Sequence, residues 1–132
     1  MVIGVAQLTL DVVDVETEAA FWSAALGYRI DRGDDGNVHV RSSAADSGIS
    51  IWLRPTGEPK QTKNRLHVDF DAEDPAAEIE RLFELGAQRC DVGQTGDETF
   101  IVLADPEGNE FCVYKQSRAE RRRRSAVQNR VP

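Results

Sequence analysis

Along residues 6–12, Ala6, Leu8, Leu10 and Val12 alternate with Gln7, Thr9 and Asp11, the period-two pattern of a strand with one buried face. The run AQLTLDVVD at 6–14 recurs as LHVDFDAED at 66–74, where Leu66, Val68 and Phe70 alternate with Arg65, His67, Asp69 and Asp71. Each run ends in an Asp and leads into a stretch with apolar residues every three or four positions. In VETEAAFWSAALG these are Phe21, Trp22, Ala25 and Leu26; in PAAEIERLFELG they are Ile79, Leu82, Phe83 and Leu85. Asp14 and Asp74 suit helix N-caps, Pro75 a first helical position, and Gly27 and Gly86 the left-handed residue that ends a helix. Three strand-like runs follow each helix. They lie near 28–32, 38–41 and 49–53, separated by GDDGN and SSAADSG, and near 87–92, 99–104 and 110–115, separated by GQTGDE and DPEGN.

Each half thus reads strand, helix, three strands. A half of about 55 residues is too small to bury its own sheet. The expectation is an α+β fold of two repeated βαβββ modules, paired within one chain or swapped with a second. Together they would form a curved mixed sheet with a concave cleft and the helices outside. The modules are placed at 1–54 and 64–116, joined by the polar linker 55–63 (PTGEPKQTK) and followed by a basic, disordered tail at 117–132. Ile49, Ile51, Leu53, Phe111 and Val113 suit the helix side. Ser50, Trp52, Arg54, Glu110, Cys112 and Tyr114 then join Gln7, Thr9, His67 and Asp69 on the polar cleft face.

Charge narrows the functional classes. The net −7 divides into nine basic against 22 acidic residues over 1–114, a balance of −13, and +6 from Lys115 onward. An acidic body is a poor phosphate reader, so no nucleic-acid partner is expected, and RRRR at 121–124 reads as a solvated run. No stretch approaches the ~18 apolar residues of a membrane span, and MVIGVAQLTL lacks a signal-peptide pattern. A cytoplasmic location without membrane contact follows as an expectation. Cys90 and Cys112 are read as free thiols of a reducing compartment.

Each candidate on the cleft face admits two readings. His67 is an acid–base group or ligand, or an imidazole hydrogen-bonded to Asp69 or Arg65. Cys112 is a soft-metal ligand or nucleophile, or a small buried hydrophobe. Asp69 and Glu110 form an acid–base pair across the cleft, or are solvated strand ends. Trp52 and Tyr114 are stacking platforms for a flat ligand, or cover a dimer interface. His39 is given no role.

The paired modules, FWSAALGY after an Asp-capped helix, NRLHVDF opening the second half and DPEGNEFCV closing it resemble the glyoxalase / bleomycin-resistance / extradiol-dioxygenase group, the vicinal oxygen chelate superfamily, over residues 3–116. Within it the chain resembles the actinobacterial-type glyoxalase-like domain proteins. The resemblance implies a homodimer, and four metal ligands from the first and last strands of each module. Carried onto this sequence, seven residues before Asp14 and Asp74 stand Gln7 and His67, and seven after Asp105 stands Cys112 in place of the family's Glu, with Glu110 nearby. The matching place in the first module falls near Ser50 or Trp52, with no carboxylate. The metal set Gln7, His67, Glu110 and Cys112 is therefore incomplete, with too few anionic oxygens for a hard divalent ion. The leading expectation is a protein that binds or sequesters a small organic molecule through Gln7, Trp52, Arg65, His67, Asp69, Glu110 and Tyr114, with no cofactor. Its rivals are a divalent-metal-dependent lyase, isomerase or dioxygenase of the vicinal oxygen chelate type, and an interaction module built on the Arg-rich tail.

Overall fold

A computed structural model describes residues 2–42 and 48–128. Most of the SSAADSG turn and residues 129–132 of the tail lie outside the described residues. The chain divides into two compact units, Met1–Gln61 and Thr62–Pro132.

The first unit runs β1 (Leu8–Val12), α1 (Val15–Leu26), β2 (Arg29–Arg32), β3 (Val38–Arg41) and β4 (Ile51–Pro55). The second runs β5 (Asp69–Phe70), α2 (Pro75–Leu85), β6 (Gln88–Arg89), β7 (Phe100–Ala104), β8 (Glu110–Tyr114) and α3 (Arg118–Gln128). Both sheets follow one plan, in the orders β1-β4-β3-β2 and β5-β8-β7-β6. The first and last strands of each unit pair parallel, and every other pairing is antiparallel.

The punctuation explains the helices. Asp14 accepts the Thr17 N–H at 3.1 Å and Asp74 the Ala77 N–H at 3.3 Å, while Gly27 (φ 69°) and Gly86 (φ 117°) turn the chain out of each helix. Helix α1 packs across β2, β3 and β4 and buries Ala19, Phe21 and Trp22 against Val12, Val40 and Leu53. Glu18 is also wholly buried, where it accepts the Trp22 indole N–H at 3.2 Å. In the second unit α2 packs on β8, and Leu82, Leu103, Phe111 and Val113 are buried.

Four local expectations differ from the structure. Leu66, expected beneath α2, is 82% exposed, because the chain bends at residues 65–66 and leaves only two residues of β5 in the ladder. Ile49 is 48% exposed, since β4 begins only at Ile51. The strand expected over 87–92 shrinks to β6, as Asp91 turns the chain by accepting the Gly93 N–H and Gly93 takes φ 82°. Finally, residues 118–128 of the tail are helical where disorder is expected. Ser117 and Glu120 cap α3 reciprocally: the Ser117 Oγ accepts the Glu120 N–H at 3.2 Å, and the Glu120 carboxylate accepts the Ser117 N–H at 2.8 Å. Asp71 then holds the helix through Arg118 and Arg121, each at 3.0 Å.

Candidate functional site

The site is built around the DPEGN hairpin. Asp105 is wholly buried, and one carboxylate oxygen accepts the N–H groups of Glu107 and Asn109, at 3.0 and 2.9 Å, as well as the Asn109 side-chain amide. The resulting turn fixes the register of β7 on β8, so that Phe100 faces Tyr114 and Val102 faces Cys112 on one side of the sheet. Across the parallel pairing Asp69 sits beside Cys112. Gln94 seals the flank of β7, its side chain donating to the Phe100 carbonyl and accepting the Val102 N–H, both at 3.1 Å.

These elements line a cavity of about 550 Å³, open to solvent, within the second unit. Phe100, Val102 and Cys112 give it an apolar floor, and Lys63, His67, Asp69, Glu98 and Tyr114 supply polar groups. Asp69 accepts the Tyr114 hydroxyl at 3.2 Å and a hydrogen bond from the Cys112 thiol. Burial pushes the Cys112 thiol up to about 11, and the Asp69 charge and hydrogen bond push it in the same direction. At neutral pH it is a protonated donor, unsuited to nucleophilic attack. Glu98 is held below the usual carboxylate value, first by the Thr95 N–H and then by other backbone N–H groups, so it stays charged. Lys63 and Asp69 carry opposite charges on the cavity wall and form no ion pair with each other.

The His67 imidazole meets neither Asp69 nor Arg65 in a hydrogen bond. Its Nε2 lies 2.9 Å from the Asn64 carbonyl and 3.2 Å from the Lys63 ammonium. The carbonyl can only accept and the ammonium can only donate, so Nε2 serves as hydrogen-bond partner to one of them at a time. With Nε2 engaged in either case, Nδ1 is the ring nitrogen left to face a ligand. The N–H of the same Asn64 goes to the buried Glu110 carboxylate at 3.1 Å.

His67, Asp69, Cys112 and Tyr114 thus line one cavity, while Glu110 lies on β8 but turns to Asn64. Arg65 is exposed and is not part of the cavity wall. Gln7 and Trp52 belong to the first unit. There Trp52 stacks on His39, with ring centroids 5.8 Å apart and planes 6° from parallel, and the Arg54 guanidinium lies 5.5 Å from its ring. The Trp52 indole N–H is buried without a hydrogen-bond acceptor among the described residues. His39, given no role from sequence, faces Trp52 because β3 and β4 are in that register.

The donor set does not suit a hard divalent ion. Of Gln7, His67, Glu110 and Cys112 only Glu110 is a carboxylate, and it accepts the Asn64 N–H, while the His67 Nε2 lies against a carbonyl and an ammonium. Among the described residues no three His, Cys, Asp or Glu side chains stand together in a metal-holding group. Lys63, Gln94, Glu98 and Phe100 are absent from the sequence-based set. The hairpin register would have found Phe100, two residues from Val102. Gln94, Glu98 and Lys63 lie in loops whose path no periodicity reports.

The sequence model of a family described as a glyoxalase-like domain matches residues 7–114. No curated protein matches the chain. Among solved structures, the trypanothione-dependent glyoxalase I of Leishmania major is similar with a TM-score of 0.70 at 12% identity, covering 96% of this chain and 95% of that one. The fosfomycin resistance protein FosX of Listeria monocytogenes, in complex with Mn(II) and sulfate, gives 0.68 at 20% identity over 95% and 99%. FosX of Mesorhizobium loti gives 0.67 at 19% identity over 92% and 98%. Among the described residues no helix is long and apolar enough to cross a membrane.

Proposed function

This chain belongs to the glyoxalase-like domain family of the vicinal oxygen chelate superfamily, and from that premise we propose that its second unit binds a small organic molecule without a resident metal ion. One observation carries the reading. A cavity of about 550 Å³, within the ~300–1,000 Å³ of small-molecule sites, combines an apolar floor with charges on Lys63 and Asp69 that are not paired to each other. A ligand offering an acceptor to Lys63, a donor to Asp69 and a flat face to Tyr114 and Phe100 would satisfy all of them. Asp69, His67 and Tyr114 are the binding residues proposed here, and the stacked Trp52 in the first unit is a second aromatic contact surface. Binding without turnover is favoured because the one thiol in the cavity is protonated at neutral pH and the imidazole Nε2 is engaged. Within their own sheets β1 and β5 have a strand on one side only, an edge of the kind a second copy can cover, and this supports a homodimer.

The test has two stages. Metal content is measured on protein purified without an affinity tag, and melting temperature is followed on adding Mn(II), Zn(II) or Ni(II). A ligand screen by the same melting assay follows, since a ligand at ~100 Kd stabilises by about 2.7 kcal/mol. The expected result is no stabilising metal and at least one stabilising organic compound whose effect is lost in Asp69→Ala. Stoichiometric metal that raises the melting temperature and disappears in His67→Ala would replace this reading with a metal-dependent enzyme of the superfamily.

A further inference from the structure

The basic segment after β8 does more than extend into solvent. Arg118 and Arg121 lie three apart on α3, so both face Asp71, which takes one guanidinium on each carboxylate oxygen at 3.0 Å. Arg118 adds a second contact to the Asp71 carbonyl at 3.3 Å, and its backbone N–H donates to the Ala72 carbonyl at 2.7 Å. The Arg121 guanidinium carbon also lies 3.6 Å from the centroid of the Tyr114 ring, a close cation–π contact. Tyr114 is a wall of the cavity, and its hydroxyl donates to Asp69. Outward-facing Arg122, Arg123 and Arg124 are exposed.

We propose that α3 is a strap on the cavity, with Arg121 as a positioning residue that clamps Tyr114 between itself and Asp69 and so sets how often the cavity wall opens. The chain of contacts runs from Asp71 to Arg121, to the Tyr114 ring, to Asp69 and to the thiol of Cys112. The planar guanidinium is needed because it covers the ring and bonds the carboxylate at once, which an ammonium cannot do over the same two partners. This inference deepens the binding role proposed for the cavity, but its test needs no ligand.

Cys112 reports on the wall, since it is buried, lines the same cavity and stands beside Asp69, the acceptor of the Tyr114 hydroxyl. In a Cys90→Ser background, methyl methanethiosulfonate should label Cys112 mainly from the opened state, so the rate follows the opening equilibrium. Losing the clamp in Arg121→Ala should speed labelling about three- to tenfold, the scale of a lost cation–π contact and half-buried ion pair. Arg121→Lys should fall between wild type and Arg121→Ala. Removing residues 117–132 should give the largest increase, with the melting transition still cooperative. Arg123→Ala removes the same charge from an exposed position and should leave the rate unchanged. The sign separates clamping from simple electrostatics, because losing a nearby cation alone disfavours the thiolate and slows labelling. Arg121→Ala labelling at or below the wild-type rate would overturn the proposal, as would an unchanged rate in Tyr114→Ala. A cavity that binds no compound in the screen yet shows these rate changes would remove the binding reading and leave the strap standing.

Discussion

The thiol of Cys112 offers a quantitative check on the environment at the centre of the cavity. Its pKa of about 11 stands above an ordinary 9.0, with burial as the first cause and Asp69 as the second. A thiol raised in the folded state binds its proton over a range where the unfolded chain has lost it, so its contribution is complete below about pH 9 and fades as pH climbs toward 11. Two pH units correspond to about 2.7 kcal/mol, and the opening of the cavity to water reduces the expected loss to about 1–2 kcal/mol. Urea midpoints of Cys90→Ser and Cys90→Ser/Cys112→Ala should therefore diverge between pH 8 and pH 10.5, with the thiol-bearing protein losing more stability. Alkylation of Cys112 against pH gives the value directly. Asp69→Asn should lower it part of the way, because burial is the larger cause and remains. A midpoint at or below 9.0 in the parent, or a rise in Asp69→Asn, would refute the account of a buried thiol donating to a carboxylate.

Further outcomes follow from the fold. Leu53→Ala and Leu103→Ala each empty a fully buried site and should cost about 2–5 kcal/mol in chemical denaturation. Asp105→Ala strips the buried acceptor from the DPEGN hairpin and should cost about 3 kcal/mol, whereas Glu107→Ala on the same turn should cost far less. Gly86→Ala forces a side chain into φ 117° and should cost about 1–2 kcal/mol, although its Cβ would meet only Pro106 at 3.6 Å. A loss no larger than that of an exposed Ala substitution elsewhere would argue against the left-handed cap.

Local chemistry carried most of what could be read from the sequence. Asp14, Asp74, Gly27 and Gly86 act on residues within one turn of themselves, so the repeat and its helices follow from spacing alone. The alternation in β1 and β8 likewise put Thr9, Cys112 and Tyr114 on the polar face. Contacts between distant segments were out of reach. Leu66 departs from the alternation because the chain bends before β5 beside Asn64, whose N–H goes to Glu110 and whose carbonyl meets the His67 ring. The burial of Glu18 depends on a partner on its own helix, and i, i+4 spacing to Trp22 would have indicated it. The tail shows both cases at once. Its Ser117–Glu120 capping box was legible, and the Asp71 anchor, 47 and 50 residues away from Arg118 and Arg121, was not.

In each sheet the strand made last is not at an edge. β4 inserts between β1 and β3, and β8 between β5 and β7, so each sheet closes around its own last strand. During synthesis the earlier strands of a unit emerge without the neighbour they will share, and β5, two residues long, has nothing to pair with until β8 arrives. Apart from the β2–β3 and β6–β7 pairings, each sheet therefore lacks its central connection until the ribosome supplies that strand. Non-local pairing of this kind slows folding relative to hairpin-by-hairpin growth. A nascent chain arrested just before residue 110 should remain protease-sensitive throughout its second half, and extension through β8 should protect the half in one step.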